Sequence, residues 1–259
     1  MLRPEFSLPL PLHFKLPVSD MLPQLTPFDG VLLVDKPARL TSHDVVDYIR
    51  RHFGFKKVGH CGTLDPAATG LLVIVLERAT KLQDRLMSAD KSYEGTMLLG
   101  ITTDSQDADG KVLAEKPVPP LTGDDIEAVI AKFRGDIQQI PPMVSAKKID
   151  GQTLYKLARK GKTVEREPRL VHIYDFRVLK IDLPRIEFRV TCTKGTYVRT
   201  LCYDIGELLG CGAHLAALRR TRSGKLDVQN AHRLENLLKL KRDELVPLII
   251  PVLKLLKPD

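Results

Sequence analysis

The sequence lacks the features that mark several large classes of protein. Its four cysteines form no C-x-x-C pair and nothing resembles a cleaved secretory signal, so a reducing, cytoplasmic location is predicted and disulfides are not. No apolar run approaches the roughly 20 residues that a membrane-spanning helix needs. A dinucleotide-binding glycine fingerprint and a cluster of metal ligands are also missing, so neither a redox cofactor nor a metal is expected.

Positive charge is concentrated in one part of the chain. The 259 residues carry a net charge of +8. Residues 141–230 contain 18 basic and 9 acidic side chains, a net of +9, so the rest of the chain sums to −1. This uneven distribution indicates a face that binds a polyanion.

The first 29 residues differ in character from the rest. Residues 1–29 alternate proline with leucine and phenylalanine and show no helical or strand period, which predicts an extended or disordered arm, and Met21 is a possible alternative start. From Gly30 onward the chain has the patterning of a globular protein, and its length allows a substantial hydrophobic core.

A glycine- and proline-rich segment at 59–70, G-H-C-G-T-L-D-P-A-A-T-G, holds one carboxylate on a tight turn. Three glycines and a proline in twelve positions exclude a helix or a strand interior. The apolar run Leu71–Leu76 follows and is typical of a buried strand. Asp65 is therefore expected on a loop held against a rigid element, where reactive groups concentrate.

The remaining pattern predicts a mixture of helices and strands. Expected strands cover 30–34, 92–99, 169–180 and 185–193, and expected helices cover the segment between Thr41 or Ser42 and Gly54, then 79–87, 127–133 and a stretch ending at Gly210. Residues 102–111 are acidic but lack the carboxylate that completes a calcium loop, so they are expected to form a solvated hairpin.

The 59–70 segment resembles the active-site motif of the TruB family of pseudouridine synthases. The resemblance extends from about Gly30 to Gly224 through further segments, namely D-K-P at 35–37, K-S-Y at 91–93, P-P-M-V-S-A-K-K-I-D-G-Q-T-L-Y at 141–155, K-G-T-Y-V-R at 194–199 and H-L-A-A-L-R-R-T-R-S-G at 214–224. The family usually has glycine where this chain has Arg39, so the turn there is expected either to differ or to add a phosphate contact.

The resemblance implies an α+β fold with a mixed, mostly antiparallel central sheet flanked by helices and a central active-site cleft. Residues 30–230 would form the catalytic domain, with a thumb-like insertion at 136–165 that packs on RNA. Residues 231–259 are expected to form a short helix and tail, which leaves no room for the PUA domain common at the C-terminus of bacterial members.

The implied reaction isomerises uridine to pseudouridine at position 55 in the T-loop of tRNA without a cofactor. Asp65 matches the nucleophile, which must stay ionised in a sheltered pocket although burial raises the pKa of a carboxyl group. Arg199 matches the arginine that pairs with it, a role that suits a permanently charged planar fork. Tyr93 matches the tyrosine that stacks on the flipped uracil and is the candidate general base.

The same resemblance and the basic stretch suggest which residues bind RNA. His60 matches the histidine that enters the RNA loop and helps to displace the target base. Eversion of a stacked nucleotide costs a few kcal/mol, which phosphate contacts must offset. The candidate contacts are Lys36, Lys147, Lys148, Tyr155, Arg219, Arg220 and Arg222. The expected partner is the T-arm of tRNA, and the expected state is a monomer.

Three other readings stay open. The first is a dyskerin-like enzyme that works with guide RNA and protein partners, which the thumb-like insertion disfavours. The second is a tRNA-binding or folding factor without catalysis, which the presence of all three catalytic candidates disfavours. The third is a hydrolase or retaining glycosidase, which needs a second carboxylate about 5 Å from the first; no acidic partner in a matching loop is evident.

Overall fold

The computed structural model describes residues 25–143, 148–149, 152–153 and 164–256. At its centre lies an 11-stranded sheet in the order β14-β1-β3-β12-β4-β11-β10-β7, with β2 also paired to β3, β13 to β12 and β15 to β1. The strands of this sheet are β1 (Gly30–Lys36), β2 (Val58–His60), β3 (Thr69–Leu76), β4 (Lys91–Leu99), β7 (Gly135–Gln139), β10 (Arg169–Asp182), β11 (Arg185–Cys192), β12 (Ala213–Ser223), β13 (Leu226–Asp227), β14 (His232–Arg233) and β15 (Ile250–Pro251).

Most neighbouring strands are antiparallel, as expected. Within the described residues the parallel pairs of this sheet are β1 with β14 and β3 with β12. Two further sheets are hairpins, formed by β5 (Ile101–Thr103) with β6 (Val112–Glu115) and by β8 (Lys148–Ile149) with β9 (Gln152–Thr153). The mixed, mostly antiparallel α+β fold is confirmed.

Short helices cover the faces of the sheet. The α-helices are α1 (Ser42–Phe53), α2 (Gln83–Met87), α3 (Gly123–Ala131), α4 (Val198–Leu208), α5 (Leu234–Leu237) and α6 (Val252–Leu256), and 3-10 turns cover Glu77–Leu82, Val228–Asn230 and Arg242–Leu248. Helix α1 begins where expected, because Thr41 and Asp44 form a capping box, and it ends at Gly54 in the left-handed conformation. No helix of the described residues is both long and apolar enough to span a membrane.

The hydrophobic core lies on both sides of β3. Every residue of Leu71–Leu76 is fully buried, which confirms the predicted buried strand. One face of β1 and β3 packs against α1 through residues such as Val45 and Ile49, while a second core forms around Phe176, Phe188, α3 and α4 on the other half of the sheet. Burial of this apolar surface supplies the rigid frame on which the preceding loop is mounted.

The register of the sheet brings distant segments into one row. Arg220 on β12 pairs with Gly70 at the start of β3 and with Tyr93 on β4, and Tyr93 pairs in turn with Val190 on β11. The loop that carries Asp65 immediately precedes β3. The row therefore sets Tyr93 and Arg220 beside that loop, although the three segments are far apart in the chain.

Several local expectations need correction. The predicted helix at 79–87 is a 3-10 turn followed by the short α2. Residues 102–111 lie in the β5–β6 hairpin, so a hairpin is present as expected, but it is not a solvated one, because Thr102, Thr103, Ser105 and Asp107 are buried. Residues 231–256 are more than a helix and tail, since β14 and β15 both pair with β1.

Other expectations depend partly on segments that the structure does not describe. The thumb-like insertion is expected at 136–165. Residues 136–139 of that range belong to β7 of the central sheet, so an insertion can begin only after Gln139. Lys147, Tyr155 and the arm at 1–24 lie outside the described residues, and of Lys148 only its place in β8 is described.

Candidate active site

The loop that carries Asp65 is fastened to its surroundings by hydrogen bonds on both sides. The amide of Ala68 donates to the carbonyl oxygen of Asp65 at 3.1 Å, which closes the predicted tight turn. The amide of Leu64 donates to Ser42 Oγ at 2.9 Å, and the carbonyl oxygen of Pro66 accepts from the amide of Arg39 at 2.8 Å. These bonds hold the backbone before and after the aspartate, so the point from which its carboxylate extends is fixed.

Arg199 lies against this carboxylate, as expected. Its Nε is 3.2 Å from Asp65 Oδ2, and its Nη2 is 3.5 Å from Oδ1. The arginine is in the first turn of α4, and its side chain is only 5% exposed, whereas that of Asp65 is 41% exposed. The carboxylate thus opens to solvent on one side while a buried guanidinium supports it on the other.

A second carboxylate, Asp107, holds the same guanidinium. Arg199 Nη1 donates to Asp107 Oδ2 at 3.1 Å and to the carbonyl oxygen of Ser105, also at 3.1 Å. The other oxygen of Asp107 accepts from Ser105 Oγ and from the amide of Asp109. Arg199 therefore bridges two aspartates, and sequence reasoning missed the second because its loop reads as polar and exposed.

The environment of Asp65 raises the pKa of its carboxyl group above the ordinary range. Burial is the main cause, and the negative charge of Asp107 adds to it, while Arg199 opposes both. The arginine thus reduces the cost of keeping the aspartate ionised without cancelling it. A carboxylate with a raised pKa is a better nucleophile than an ordinary one once it has lost its proton.

Tyr93 and two buried cations complete the other side of the site. Arg220 donates from Nε to the carbonyl oxygen of Leu71 at 2.7 Å and from Nη2 to that of Gly62 at 3.0 Å. Burial raises the pKa of the Tyr93 hydroxyl, and the charge and hydrogen bond of Arg220 oppose that rise. The ammonium group of Lys91 donates to backbone carbonyls, and burial beside Arg220 lowers its pKa to about 8.

These groups surround a cleft of about 690 Å³, a size within the range of small-molecule sites. Within the described residues the cleft has no group of three or more histidine, cysteine or carboxylate side chains arranged to hold a metal ion. Its wall includes four of the side chains described so far, Asp65, Tyr93, Arg199 and Arg220. The other lining residues are Gly62, Thr63, Asp84, Met87, Ser88, Lys91, Arg169, Thr193, Lys194, Gly195 and Tyr197.

Comparisons with known proteins identify the family of this chain. The family TruB family pseudouridylate synthase (N terminal domain) matches residues 50–198, and the tRNA pseudouridylate synthase B C-terminal domain matches residues 199–257. A protein named tRNA pseudouridine synthase B from Opitutus terrae is 54% identical over 224 residues, which cover 86% of this chain and 93% of that protein. Its namesake from Syntrophotalea carbinolica is 51% identical over 80% of this chain and 68% of its own.

The chain belongs to the TruB family of pseudouridine synthases. Solved structures agree, since Cbf5 in the crystal structure of a Cbf5-Nop10-Gar1 complex superimposes with a TM-score of 0.69 at 31% identity. That match covers 87% of this chain and 60% of the Cbf5 chain, so this chain spans less than two thirds of Cbf5. The two matched sequence ranges meet between residues 198 and 199. They are not separate in the fold, because β12 from the second range lies in the central sheet between β3 and β4 from the first.

Two of the residues expected to contact RNA are buried within this TruB fold. Lys36 is fully buried, and its Nζ donates to the carbonyl oxygens of Pro37, Leu40 and Pro66. Arg220 is 1% exposed and belongs to the floor of the cleft. An ammonium group saturated by three carbonyls cannot also bind a phosphate on the surface, so the expectation for Lys36 is corrected to a structural role.

The other described candidates lie nearer the surface. Arg219 forms a two-pronged ion pair with Asp35, at 2.9 and 2.8 Å, and Arg222 lies 3.7 Å from Asp227 with its side chain 55% exposed. His60 ends β2, and its Nδ1 is buried without a hydrogen-bond partner among the described residues. Burial and the charge of Arg220 lower the pKa of His60, which favours the neutral ring; its role in displacing the target base stays a prediction.

Proposed function

We propose that this protein isomerises the uridine at position 55 in the T-loop of tRNA to pseudouridine, with Asp65 as the nucleophile and no cofactor. The observation that carries the proposal is the pair of Asp65 and Arg199 at the wall of the cleft, with the carboxylate open to it and the guanidinium buried behind it. Family membership supports the reaction class. The particular nucleotide and the roles of the residues are the finer claims.

The reaction needs one nucleophile and one base, and it balances without an oxidant. The N1–C1′ bond of the nucleotide breaks, the uracil rotates, and a C5–C1′ bond forms. C5 gives up its proton and N1 gains one, so no electrons are exchanged with another molecule. Asp65 must be ionised to assist the first step, whether it attacks C1′ or C6.

In this proposal Tyr93 assists the proton transfers. It lines the cleft on β4, where it is the direct register partner of Arg220 on β12. The hydrogen bond and positive charge of Arg220 stabilise the deprotonated phenol relative to an isolated buried tyrosine. The ring itself provides an apolar surface on which an everted base can stack.

A base that remains stacked in RNA cannot present its reacting atoms to a carboxylate in the wall of this cleft. The target nucleotide must therefore leave its stack and enter the cleft, at a cost of a few kcal/mol. Arg169 and Lys194 are exposed residues of the cleft wall, and their charges can offset part of that cost through contacts to phosphates. Binding should therefore weaken as the salt concentration rises.

The arrangement of Asp107 argues against a glycosidase. Asp107 and Asp65 contact opposite parts of one guanidinium, so the arginine occupies the space in which a retaining glycosidase would hold a sugar between its two acids. Asp107 also does not belong to the wall of the main cleft among the described residues.

The identity of about 50% to proteins named tRNA pseudouridine synthase B, against 31% to Cbf5, favours a standalone enzyme. The cytoplasmic location and the monomeric state stay predictions.

The test compares wild type, Asp65→Asn and a matched control, Asp182→Asn, on an unmodified tRNA transcript. Asp182 ends β10 and is 72% exposed, so its substitution should leave activity unchanged. Pseudouridine is mapped by carbodiimide treatment and primer extension. We expect a single stop at position 55 with wild type and the control, and none with Asp65→Asn. Product from Asp65→Asn would overturn the nucleophile, and a stop elsewhere would overturn the substrate.

A further inference from the structure

The loop that joins β1 to α1 is bent around a buried ammonium group. Three hydrogen bonds fix the position of Lys36 Nζ. It donates to Pro37 O at 2.9 Å and to Leu40 O at 2.7 Å, and to Pro66 O in the catalytic loop at 3.2 Å. For both loop carbonyls to face the same ammonium, the chain between them must reverse direction. Residue 39 provides the reversal with a φ of 71°.

Arginine is an unfavourable residue for that backbone conformation. The left-handed region is open to glycine, whereas the Cβ of any other L-residue adds a steric cost there. The other described non-glycine residues with positive φ are Glu77 and Gln106. The side chain of each accepts a hydrogen bond, Glu77 from the amide of Lys56 and Gln106 from the hydroxyl of Thr200, both at 2.8 Å.

Arg39 has no such compensation within the described part of the chain. Its side chain is exposed and makes no hydrogen bond or ion pair with any described residue. The carboxylate of Asp44, in the next helical turn, already accepts from the amide and hydroxyl of Thr41. Within the described residues, the guanidinium of Arg39 is thus an unpaired positive charge on a residue with a strained backbone. It makes no hydrogen bond or ion pair with described residues that would stabilise the fold.

The place of this charge suggests its use. The amide of Arg39 donates to the carbonyl oxygen of Pro66, and Pro66 directly follows Asp65. The backbone from which the Arg39 side chain extends is therefore fixed relative to the nucleophile. Arg39 is not among the described residues of the cleft wall itself, but its backbone contacts the catalytic loop, so a polyanion that delivers one nucleotide to Asp65 brings the neighbouring phosphates near this side chain. Arginine offers a planar set of donors that fits a phosphate.

We propose that Arg39 binds a backbone phosphate of the RNA substrate next to the everted nucleotide. The inference rests on the proposed function for the identity of the polyanion. It makes Arg39 a binding residue and gives it no part in the chemical step. The hydrogen bonds of Lys36 hold the turn at Arg39 and the catalytic loop together, so the turn keeps Arg39 at a set position beside that loop.

The test measures tRNA binding in the Asp65→Asn background, so that it does not depend on turnover. Arg39→Gly should bind the transcript roughly five- to tenfold more weakly, and the slope of log affinity against log salt should fall by about one. Its melting temperature should equal or exceed that of the parent, because glycine removes the steric cost. Arg39→Lys should keep the salt slope, since it keeps the charge.

Arg185→Ala is the matched control for loss of one exposed positive charge. Arg185 is exposed at the start of β11, seven residues from the end of that strand near the cleft, or roughly 23 Å at 3.3 Å per residue. We expect its affinity and salt slope to match the parent. With Asp65 restored, Arg39→Gly should raise KM by the same factor and leave kcat within about twofold.

Wild-type affinity and salt slope in Arg39→Gly would overturn the proposal, as would an equal loss in Arg185→Ala. A fall in kcat with unchanged affinity would also overturn it, because that result assigns Arg39 to the chemical step. The proposed function fails separately, through the absence of pseudouridine at position 55 with wild type. Binding by the Arg39 variants can therefore be judged whatever the outcome of the activity test.

Discussion

Replacement of Asp107 by asparagine separates the role of the guanidinium bridge from that of the nucleophile. The side chain of Asp107 is 12% exposed and accepts from Arg199 Nη1 at 3.1 Å. Asparagine has the same shape and can keep the bonds that Oδ1 accepts from Ser105 and Asp109. Its amide nitrogen, however, would point a donor at Nη1, so Arg199 would lose one of the two carboxylates that hold it.

The size of the effect follows from that single contact. A hydrogen bond between charged groups contributes about 1.5–3 kcal/mol, and each 1.36 kcal/mol corresponds to tenfold in rate. If Arg199 acts in the transition state only when both carboxylates hold it, kcat should fall by about 10- to 150-fold. Affinity for tRNA should change little, because Asp107 lies behind the wall of the cleft.

The pH dependence supplies a second and independent signature. Activity needs ionised Asp65, so it is lost as the pH falls through the pKa of that group, which burial and then Asp107 raise above its ordinary value. Loss of the Asp107 charge removes one cause of the rise. The acid limb of kcat/KM should therefore move to lower pH in Asp107→Asn even though the maximum rate is smaller.

The assay follows release of tritium from C5 of labelled uridine in tRNA between about pH 4 and 8, a window that spans the raised carboxyl pKa. Asp109→Asn is the control, because Asp109 is exposed in the same loop and its charge raises the pKa of Asp65 less than that of Asp107 does. The control should keep kcat and shift the limb less. A wild-type rate in Asp107→Asn, or an acid limb that moves to higher pH, would refute the reasoning.

Two further predictions concern the frame of the site. Lys36→Met should lower the free energy of unfolding by about 2–5 kcal/mol in urea denaturation, because the carbonyls of Pro37, Leu40 and Pro66 lose their donor inside the protein; unchanged stability with weaker RNA binding would contradict this structural role. Gly70→Ala should lower the free energy of unfolding by roughly 3 kcal/mol, because at a φ of 95° its Cβ would overlap the backbone oxygen of Arg220. Gly195→Ala, at a φ of 84° in open space, should lower it by about 1 kcal/mol. Equal losses would show that β3 and β12 are not closely packed at Gly70.

The parts of the site that could be predicted are those that depend on neighbouring residues. The turn at Asp65, the buried strand Leu71–Leu76 and the cap at Thr41 each follow from local steric or hydrogen-bonding preferences, and the structure confirms all three. The pairing of Asp65 with Arg199 was expected only from the family resemblance. Nothing in the spacing of two residues 134 positions apart indicates a contact between them.

The fate of each charged side chain was decided by the folded structure. A lysine, an arginine and an aspartate in polar segments read as exposed, yet Lys36, Arg220 and Asp107 are buried, because strand pairing and the β1–α1 loop surround each with partners from distant segments. The amino-acid order determined which elements form and which carboxylate is displayed on a turn, since these depend on interactions within a few residues. Only the tertiary structure determined which charges face the cleft and which support it, since burial and ion pairing depend on the register between strands that lie far apart in the chain.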